Sequence, residues 1–395
     1  MKSRKNLLSQ RLLGSTVIVG ALYIILFSGT PNFSNDDAEY LLSNFSTHLS
    51  EESGARGSEA KLQYSHIEVQ GFAYDKWARI SNFALDFMTP QWQGQSRLGL
   101  STKNADLVPD HTSAKRATMR FPEAINLISG SQLLAILQPD KPIIYGINQQ
   151  PTGDGEITHR IVIPTNLNIS MLEPKRNLRI ELTDPIQVDA SFFKTQHRLR
   201  GHVVSGVARI LSQGDQWGIE NVDIRYDSLQ KSTNIIESKG TLTLDRLTFA
   251  RAGISTTPLA ATAAWLMKEQ RNINDSVESI KLEIEHGLIT NGDSKISVTG
   301  DINFDIDDAA YGELVVEISN PTEFVKSGWI AKNKQEEALS LLDEILGEKI
   351  GSHKQAIINI VRTKNGEWKV GKVLLDEDLG KKIVNIFIFN TQEQI

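Results

Sequence analysis

Asp301, Asn303, Asp305 and Asp307 stand at alternate positions in the phrase GDINFDIDDAAYGE, and spaced oxygen donors of this kind are what a calcium loop presents to its ion. The detail fails. The sixth position of such a loop takes a turn glycine and the twelfth a bidentate glutamate, and here they are Ile306 and Gly312, with Glu313 one place late. Period-two alternation explains every residue instead, with the carboxylates on the wet side of a strand. Ser191-Phe192-Phe193-Lys194 has the S-x-x-K spacing of penicillin-recognising serine enzymes, but the S-D-N and K-T-G elements that complete that site are missing, and Ser58-Glu59-Ala60-Lys61 matches equally well. None of the eight histidines forms an H-x-x-x-H or H-E-x-x-H pair; His197 and His202, five apart, lack both zinc spacing and a third ligand. The chain has no G-x-S-x-G elbow, no Walker loop and no G-x-G-x-x-G. RLRGHVVSGVARI offers basic residues beside glycines for an anion, but reads better as a turn and a strand with a wet basic face. Trp217 and Trp368 each open a strand after a turn, a setting that suits core packing better than an exposed carbohydrate platform. The expectation is therefore no catalytic residue, no metal ligand and no cofactor.

The elements that carry these residues are mostly strands. NFALDF alternates Phe83, Leu85 and Phe87, and the same period returns in NLNISM, NLRIEL, NVDIRY, GTLTLDRLTF, IKLEIE, SKISVTGDINFDID, GELVVEIS, AIINIV, EWKVGKVLL and IVNIFIF. Each such strand buries one face and wets the other. Turn residues such as Asn291-Gly292 and Asn365-Gly366 separate them. The fold expected is mainly β with helices (α+β): long, curved antiparallel sheet partly covered by helices. Helical patterns are read in residues 32–53, with Asn35 or Asp36 as cap and Leu42, Phe45 and Leu49 on one face; in Pro122–Gln138; in 257–271, with Thr257 as cap; and in Pro321–Leu346 as two pieces joined near Gly328, with Leu339, Leu342 and Leu346 in a stripe.

The first thirty residues differ from all of this. Lys2, Arg4, Lys5 and Arg11 precede the uncharged LLGSTVIVGALYIILF of Leu12–Phe27, and with Ser28–Thr30 the stretch is long enough to cross a bilayer, which needs ~17–25 residues. A signal-peptide cut after Gly29 or Thr30 would place Phe27 or Pro31 badly, so a retained anchor is expected, N-terminus inside. The organisation read is a cytoplasmic basic tail 1–11, a transmembrane anchor 12–30, a helix and linker 31–60, and a β-rich envelope body 61–390, with halves 61–255 and 273–390 joined by helix 257–271. The 395-residue chain has 42 basic and 48 acidic residues; setting aside the four basic residues of the tail leaves 38 against 48, a formal −10, which repels nucleic acid. There is no cysteine, so disulfides, thiolate metal sites and cysteine nucleophiles are excluded.

GDINFDIDDAAYGELVVEISNPTEFV followed by NGEWKVGKVLLDED, behind a single N-terminal anchor, resembles a family of uncharacterised single-pass envelope proteins from alphaproteobacteria, itself similar to the AsmA-like group. The phrase Gly71-Phe72-Ala73-Tyr74 lacks the proline usual there. The resemblance spans most of 31–390 and implies an inner-membrane protein with a periplasmic body, no catalytic residue, and a curved sheet whose apolar face holds lipid tails. An apolar sheet face that helices leave open suits acyl chains. Ile302, Phe304, Ile306, Leu314, Val316 and Ile318 are the residues expected on that face, as groove or as core. The expected function is non-enzymatic lipid binding or handling; an envelope hydrolase or carbohydrate-binding protein with a site assembled from distant residues, and a structural scaffold, stand as alternatives.

Overall fold

The structure is a computed structural model. It describes residues 33–54, 59–71, 76–88, 97–110, 113–149, 156–164, 166–172, 175–193, 196–251, 254–272, 277–305, 310–350, 354–362, 367–375, 382 and 386. The basic tail and the apolar stretch 12–30 lie outside the described residues. Among those described, no helix is long and apolar enough to cross a membrane, a statement that concerns helices and not strands.

The protein is mainly β, its strands paired antiparallel, with few helices. Two compact units are distinguished: Met1–Ile136 with Pro142–Gln149, and Leu137–Lys141 with Gln150–Ile395. In the first, α1 (Asn35–Gly54) precedes β1 (Glu59–Gln63), β2 (His66–Gln70), β3 (Trp77–Met88), β4 (Arg97–Asp110), β5 (Ser113–Phe121), β6 (Ile125–Ser129), β7 (Gln132–Pro139, of which Leu137–Pro139 belongs to the second unit) and β8 (Ile143–Gln149). β1 and β2 pair side by side along β3, β3 pairs β4, β4 pairs β5 and β6, and β5 pairs β8. Ser34 caps α1, one residue before the expected positions: its hydroxyl accepts from the Asp37 N–H at 3.2 Å while Asp37 Oδ2 accepts from the Ser34 N–H at 2.9 Å. This reciprocal pair satisfies two amides that a helix start leaves open. Leu42 and Phe45 lie buried with Ala38 on one face of α1, at helical spacing, and Phe45 meets Tyr145 edge-on at 5.3 Å. Across β3, Ile80 and Phe83 are both buried although three apart, because Asn82 takes a left-handed φ of 54° and resets the alternation.

The second unit comprises β9 (Glu156–Ile163), β10 (Asn166–Leu172), β11 (Lys175–Leu182), β12 (Ile186–Phe193), β13 (Arg198–Ser212), β14 (Asp215–Ser232), β15 (Ile235–Arg251), β16 (Ile254–Ser255), β17 (Leu259–Arg271), β18 (Val277–Asn291), β19 (Ser294–Asp305), β20 (Tyr311–Ser319), α2 (Pro321–Lys326), a 3-10 turn Lys332–Lys334, α3 (Gln335–Leu346), β21 (Gln355–Arg362), β22 (Trp368–Val370) and β23 (Val373–Leu374). One ladder runs β9–β12–β13–β14–β15–β17–β18–β19–β20–β21–β22. Gly347 ends α3 in the left-handed region, its N–H bonded to the Asp343 carbonyl at 2.8 Å.

Two helices expected from the sequence are strands. Pro122–Gln138 contains β6 and most of β7, with Gly130 at φ 60° between them and its N–H on the Arg97 carbonyl. Residues 257–271, expected as a helix joining two halves, hold β17, which is hydrogen-bonded on both edges, to β15 and β18. Alanine-rich TPLAATAAWLMKEQR has high helix propensity, but Leu259, Ala261, Ala263, Trp265 and Met267 also alternate, and pairing on two edges outweighs propensity. Thr257, the expected cap, instead sets its hydroxyl 2.7 Å from Asn291 Oδ1.

Candidate functional site

The register of the second unit's ladder sorts every strand into two faces, because residues directly opposite one another point the same way. One row of opposed residues crosses ten strands. It runs Ile161, Val188, Val203, Ile224 and Leu242 over β9, β12, β13, β14 and β15. It continues as Ala263, Gly287, Val298, Val316 and Ile358 over β17, β18, β19, β20 and β21. No member is polar. At ~4.8 Å between strands the row is about 43 Å long. The next row on the same face holds Val222, Leu244, Ala261, Ile289, Ile296 and Ile318.

Local irregularities keep these rows on one face. Asn221 has φ 52° on β14, and β15 shifts register against β17 between Leu244 and Leu247, so Val222 and Ile219, like Leu244 and Leu247, share a side despite odd spacing. Gly240 serves a second purpose. A Cβ there would lie 2.0 Å from the Trp265 ring, so the missing side chain is what lets that ring lie against the sheet.

The cover over this face is uneven. Towards the C-terminal strands, Ile318, Ala356, Ile358 and Val370 form a closed cluster with Val325, Ile330, Ala338, Leu341 and Ile345. The buried side of α3 is thus Ala338, Leu341 and Ile345, and the expected stripe Leu339, Leu342 and Leu346 packs partly buried beside it. At the lower ends of β14, β15 and β17, Trp329 sits on Trp217, Leu247, Phe249 and Leu259, with ring centroids 6.3 Å apart for Trp217 and Trp329, and its Nε1–H donates to the Thr257 carbonyl at 2.8 Å. Elsewhere the described residues do not close the face. Among the described residues of β13 to β19 the buried hydrophobics are Ala208, Phe249 and Val277, while the members of the apolar rows on these strands are half-buried, or exposed in the case of Ile289.

The opposite face of the same strands is a ladder of ions. Arg160 bonds Asp189 at 2.6 Å directly across β9 and β12. Arg198 bonds Asp227 bidentately, Arg225 and His202 converge on Asp223, and Arg246 reaches Glu220 at 3.4 Å. The hydrogen bonds from Arg225 and Arg198 hold the Asp223 and Asp227 carboxyls below the usual carboxylate range. For Asp189, burial pushes the pKa up, but the hydrogen bonds from Arg160 and Gln187 together with the nearby positive charge outweigh it, and the net shift is downward.

The residues singled out in the sequence fall as follows. β19 and β20 pair antiparallel with Ile302 opposite Gly312 and Gly300 opposite Leu314, so Ile302, Phe304, Leu314, Val316 and Ile318 share the apolar face. They do not share one environment: Val316 and Ile318 pack in the cluster under α3, Ile302 and Leu314 are half-buried, and Phe304 is 42% exposed. Ile306 and Asp307 lie outside the described residues. Asp301 and Asn303 are on the polar face, with Lys281 Nζ 3.5 Å from Asp301, and no group of three metal-ligating side chains is found among the described residues. Ser191 Oγ lies 2.9 Å from Thr158 Oγ1, and His202 Nε2 is bonded to Asp223, so the nucleophile–base bond that a serine hydrolase needs is not made by this pair; Lys194 is outside the described residues. The stretch Arg198–Ile210 is β13, its basic side chains on the ionic face.

A polar group in the apolar phase escaped the sequence reading. Tyr226 OH donates to Ser238 Oγ at 2.9 Å, and Ser238 Oγ donates to Ser228 Oγ at 3.0 Å. Its trace is visible in IIESKGTLTL, where Ser238 and Gly240 occupy places that alternation reserves for apolar residues. Comparison with family models, curated proteins and solved structures returns no match.

Proposed function

We propose that this chain is a non-catalytic envelope protein, held in the inner membrane by residues 12–30 with its body on the periplasmic side, whose second unit holds lipid acyl chains on its apolar sheet face. One observation carries the reading. An unbroken apolar row crosses ten strands, and over β13 to β18 it is half-buried rather than sealed. Contiguous apolar surface of this size is costly to leave in water, and a soluble partner or a lipid offsets that cost. The ionic face opposite keeps that side of the sheet wet, so the apolar side is the one with something to bind. Acyl chains fit because the row offers length without polar groups, as an unbranched hydrocarbon requires.

The test is to extract the full-length chain from membranes and identify bound lipid by native mass spectrometry. The expected result is stoichiometric lipid on the wild type and its loss in Leu242→Asp, which sets a charge in the half-buried row. A wild type that carries no lipid, or a folded L242D that carries as much, removes this reading in favour of a structural scaffold.

A further inference from the structure

The apolar face is not uniform along the strand direction. On β14 and β15 it has a polar end, the hydrogen-bonded chain Tyr226–Ser238–Ser228, and a closed end, where Trp217 and Phe249 lie under Trp329. Between them stand only apolar side chains on that face: Ile224, Val222 and Ile219 on β14, opposite Leu242, Leu244 and Leu247 on β15. From Ser228 to Trp217 the strand runs about 36 Å at ~3.3 Å per residue. That is more than one leaflet's acyl chain, which spans half of a ~30 Å hydrocarbon core.

The hydroxyl chain has a direction. Tyr226 donates to Ser238, and Ser238 donates to Ser228. Ser238 is fully buried and has both its donor and acceptor roles filled. Ser228 is half-buried and ends the chain, so its own proton points to an acceptor that the three hydroxyls do not supply. Beside them on the same face, Glu269 and Arg271 form a close ion pair, side chains 9% and 13% exposed, which is neutral as a unit. A polar group arriving here therefore meets a hydroxyl donor and no net charge.

We propose that the occupant is a long-chain amphiphile bearing an ester or carboxyl oxygen, seated with that oxygen at Ser228 and with its chain running down β14 and β15 towards Trp217 and Trp329. This rests on the reading of the apolar face as an acyl-chain site and adds to it a head, a tail and a direction. The hydroxyl chain fixes the head because an ester or carboxylate oxygen buried on an apolar face without a donor is strongly disfavoured. The apolar run of Ile224, Val222 and Ile219 opposite Leu242, Leu244 and Leu247 takes the tail, and the aromatic closure lies beyond its methyl end.

The experiment uses the full-length chain in membranes and two photoreactive palmitates, one with a diazirine beside the carboxyl group and one at the methyl end. The carboxyl-side probe is expected to label peptides containing Ser228 and Ser238, and the methyl-end probe, whose chain covers ~15 Å or about five residues of strand, those containing Ile224, Val222 or Leu244. The triple variant Tyr226→Phe, Ser228→Ala, Ser238→Ala removes all three hydroxyls together and leaves none of them orphaned, so it should fold. In it, carboxyl-side labelling at β14–β15 should fall about fivefold, as loss of one hydrogen bond of about 1 kcal/mol predicts. Ser228→Thr, which keeps the hydroxyl, should restore it when the other two positions are native. Identical labelling patterns from the two probes, or a triple variant that labels as the wild type does, overturn the proposed orientation while leaving acyl-chain binding intact. Absence of any labelling on this face overturns the underlying reading instead.

Discussion

The strands β19 to β21 and the strands β13 to β18 follow the same alternating pattern in one ladder, yet they end in different environments. Ile318, Ala356 and Ile358 disappear beneath α3, whose Ala338, Leu341 and Ile345 complete a closed cluster. Val203, Ile224, Leu242 and Ala263 occupy the same row on neighbouring strands and stay half-buried. The first unit repeats the closed solution, with Ala38, Leu42 and Phe45 of α1 buried and Phe45 edge-on against Tyr145 of β8. Alternation thus produces an apolar face everywhere, and whether a helix packs on that face decides whether it becomes core. Where strands follow one another through short turns, as from β13 to β15, no helix arises to cover them.

A charge placed in each of the two environments separates them most strongly. Leu341→Asp puts an unpaired carboxylate into the closed cluster and should cost about 3 kcal/mol or more, of the order seen for buried unpaired charges, enough to unfold the second unit in a thermal melt. Phe304→Asp, on the same face but 42% exposed, should melt close to the wild type. Equal losses from the two would mean that the face around Phe304 is as sealed as that around Leu341.

A smaller effect is expected at Gly240. Gly-to-Ala in a strand interior ordinarily stabilises, since glycine loses more chain entropy on folding. Here the new methyl meets the Trp265 ring, so G240A should destabilise by about 1–3 kcal/mol, as overpacking does, and shift tryptophan fluorescence as the ring moves. A variant as stable as the wild type would show that Trp265 is free to lift from the sheet.

The smallest effect belongs to the ionic face. Asp189 has a depressed pKa in the folded protein, so its contribution is present above the unfolded carboxylate value near ~3.9 and drains away as pH falls through the folded value. Arg160 is more than half exposed, which keeps the pair within the ~0.2–1 kcal/mol of surface ion pairs. Arg160→Met should therefore lower stability by about 0.5 kcal/mol at neutral pH and by nothing in strong acid, read from urea melts at both. A deficit that persists in acid would point to lost packing of the Arg160 stem rather than lost charge.

Much of this architecture is legible in the order of residues alone. Alternation in GTLTLDRLTF and IKLEIE marks strands and their wet and dry sides, and the pattern even registers the kink at Asp245–Arg246, since Leu242, Leu244, Leu247 and Phe249 change spacing there. The two-part helical segment after Pro321 is also read directly from its leucines and Gly328. The two departures are of one kind. QLLAILQ and LAATAAWLM contain residues that favour helices in isolation, and only neighbours on both edges make β17 a strand.

Residues close together in the chain suffice for the strand-rich class, for the missing catalytic motifs and for the apolar phase of strands such as β14, β15 and β18. The tertiary structure decided which strands are neighbours and in what register. That is what joins Ile161 to Ile358 in one row, brings Tyr226, Ser228 and Ser238 into hydrogen-bonding distance, and closes Val316 and Ile318 while leaving Phe304 exposed. The physical reason is that alternation fixes which way a side chain points from its own strand, whereas burial depends on what is packed above it, and that is chosen by long-range pairing and helix docking.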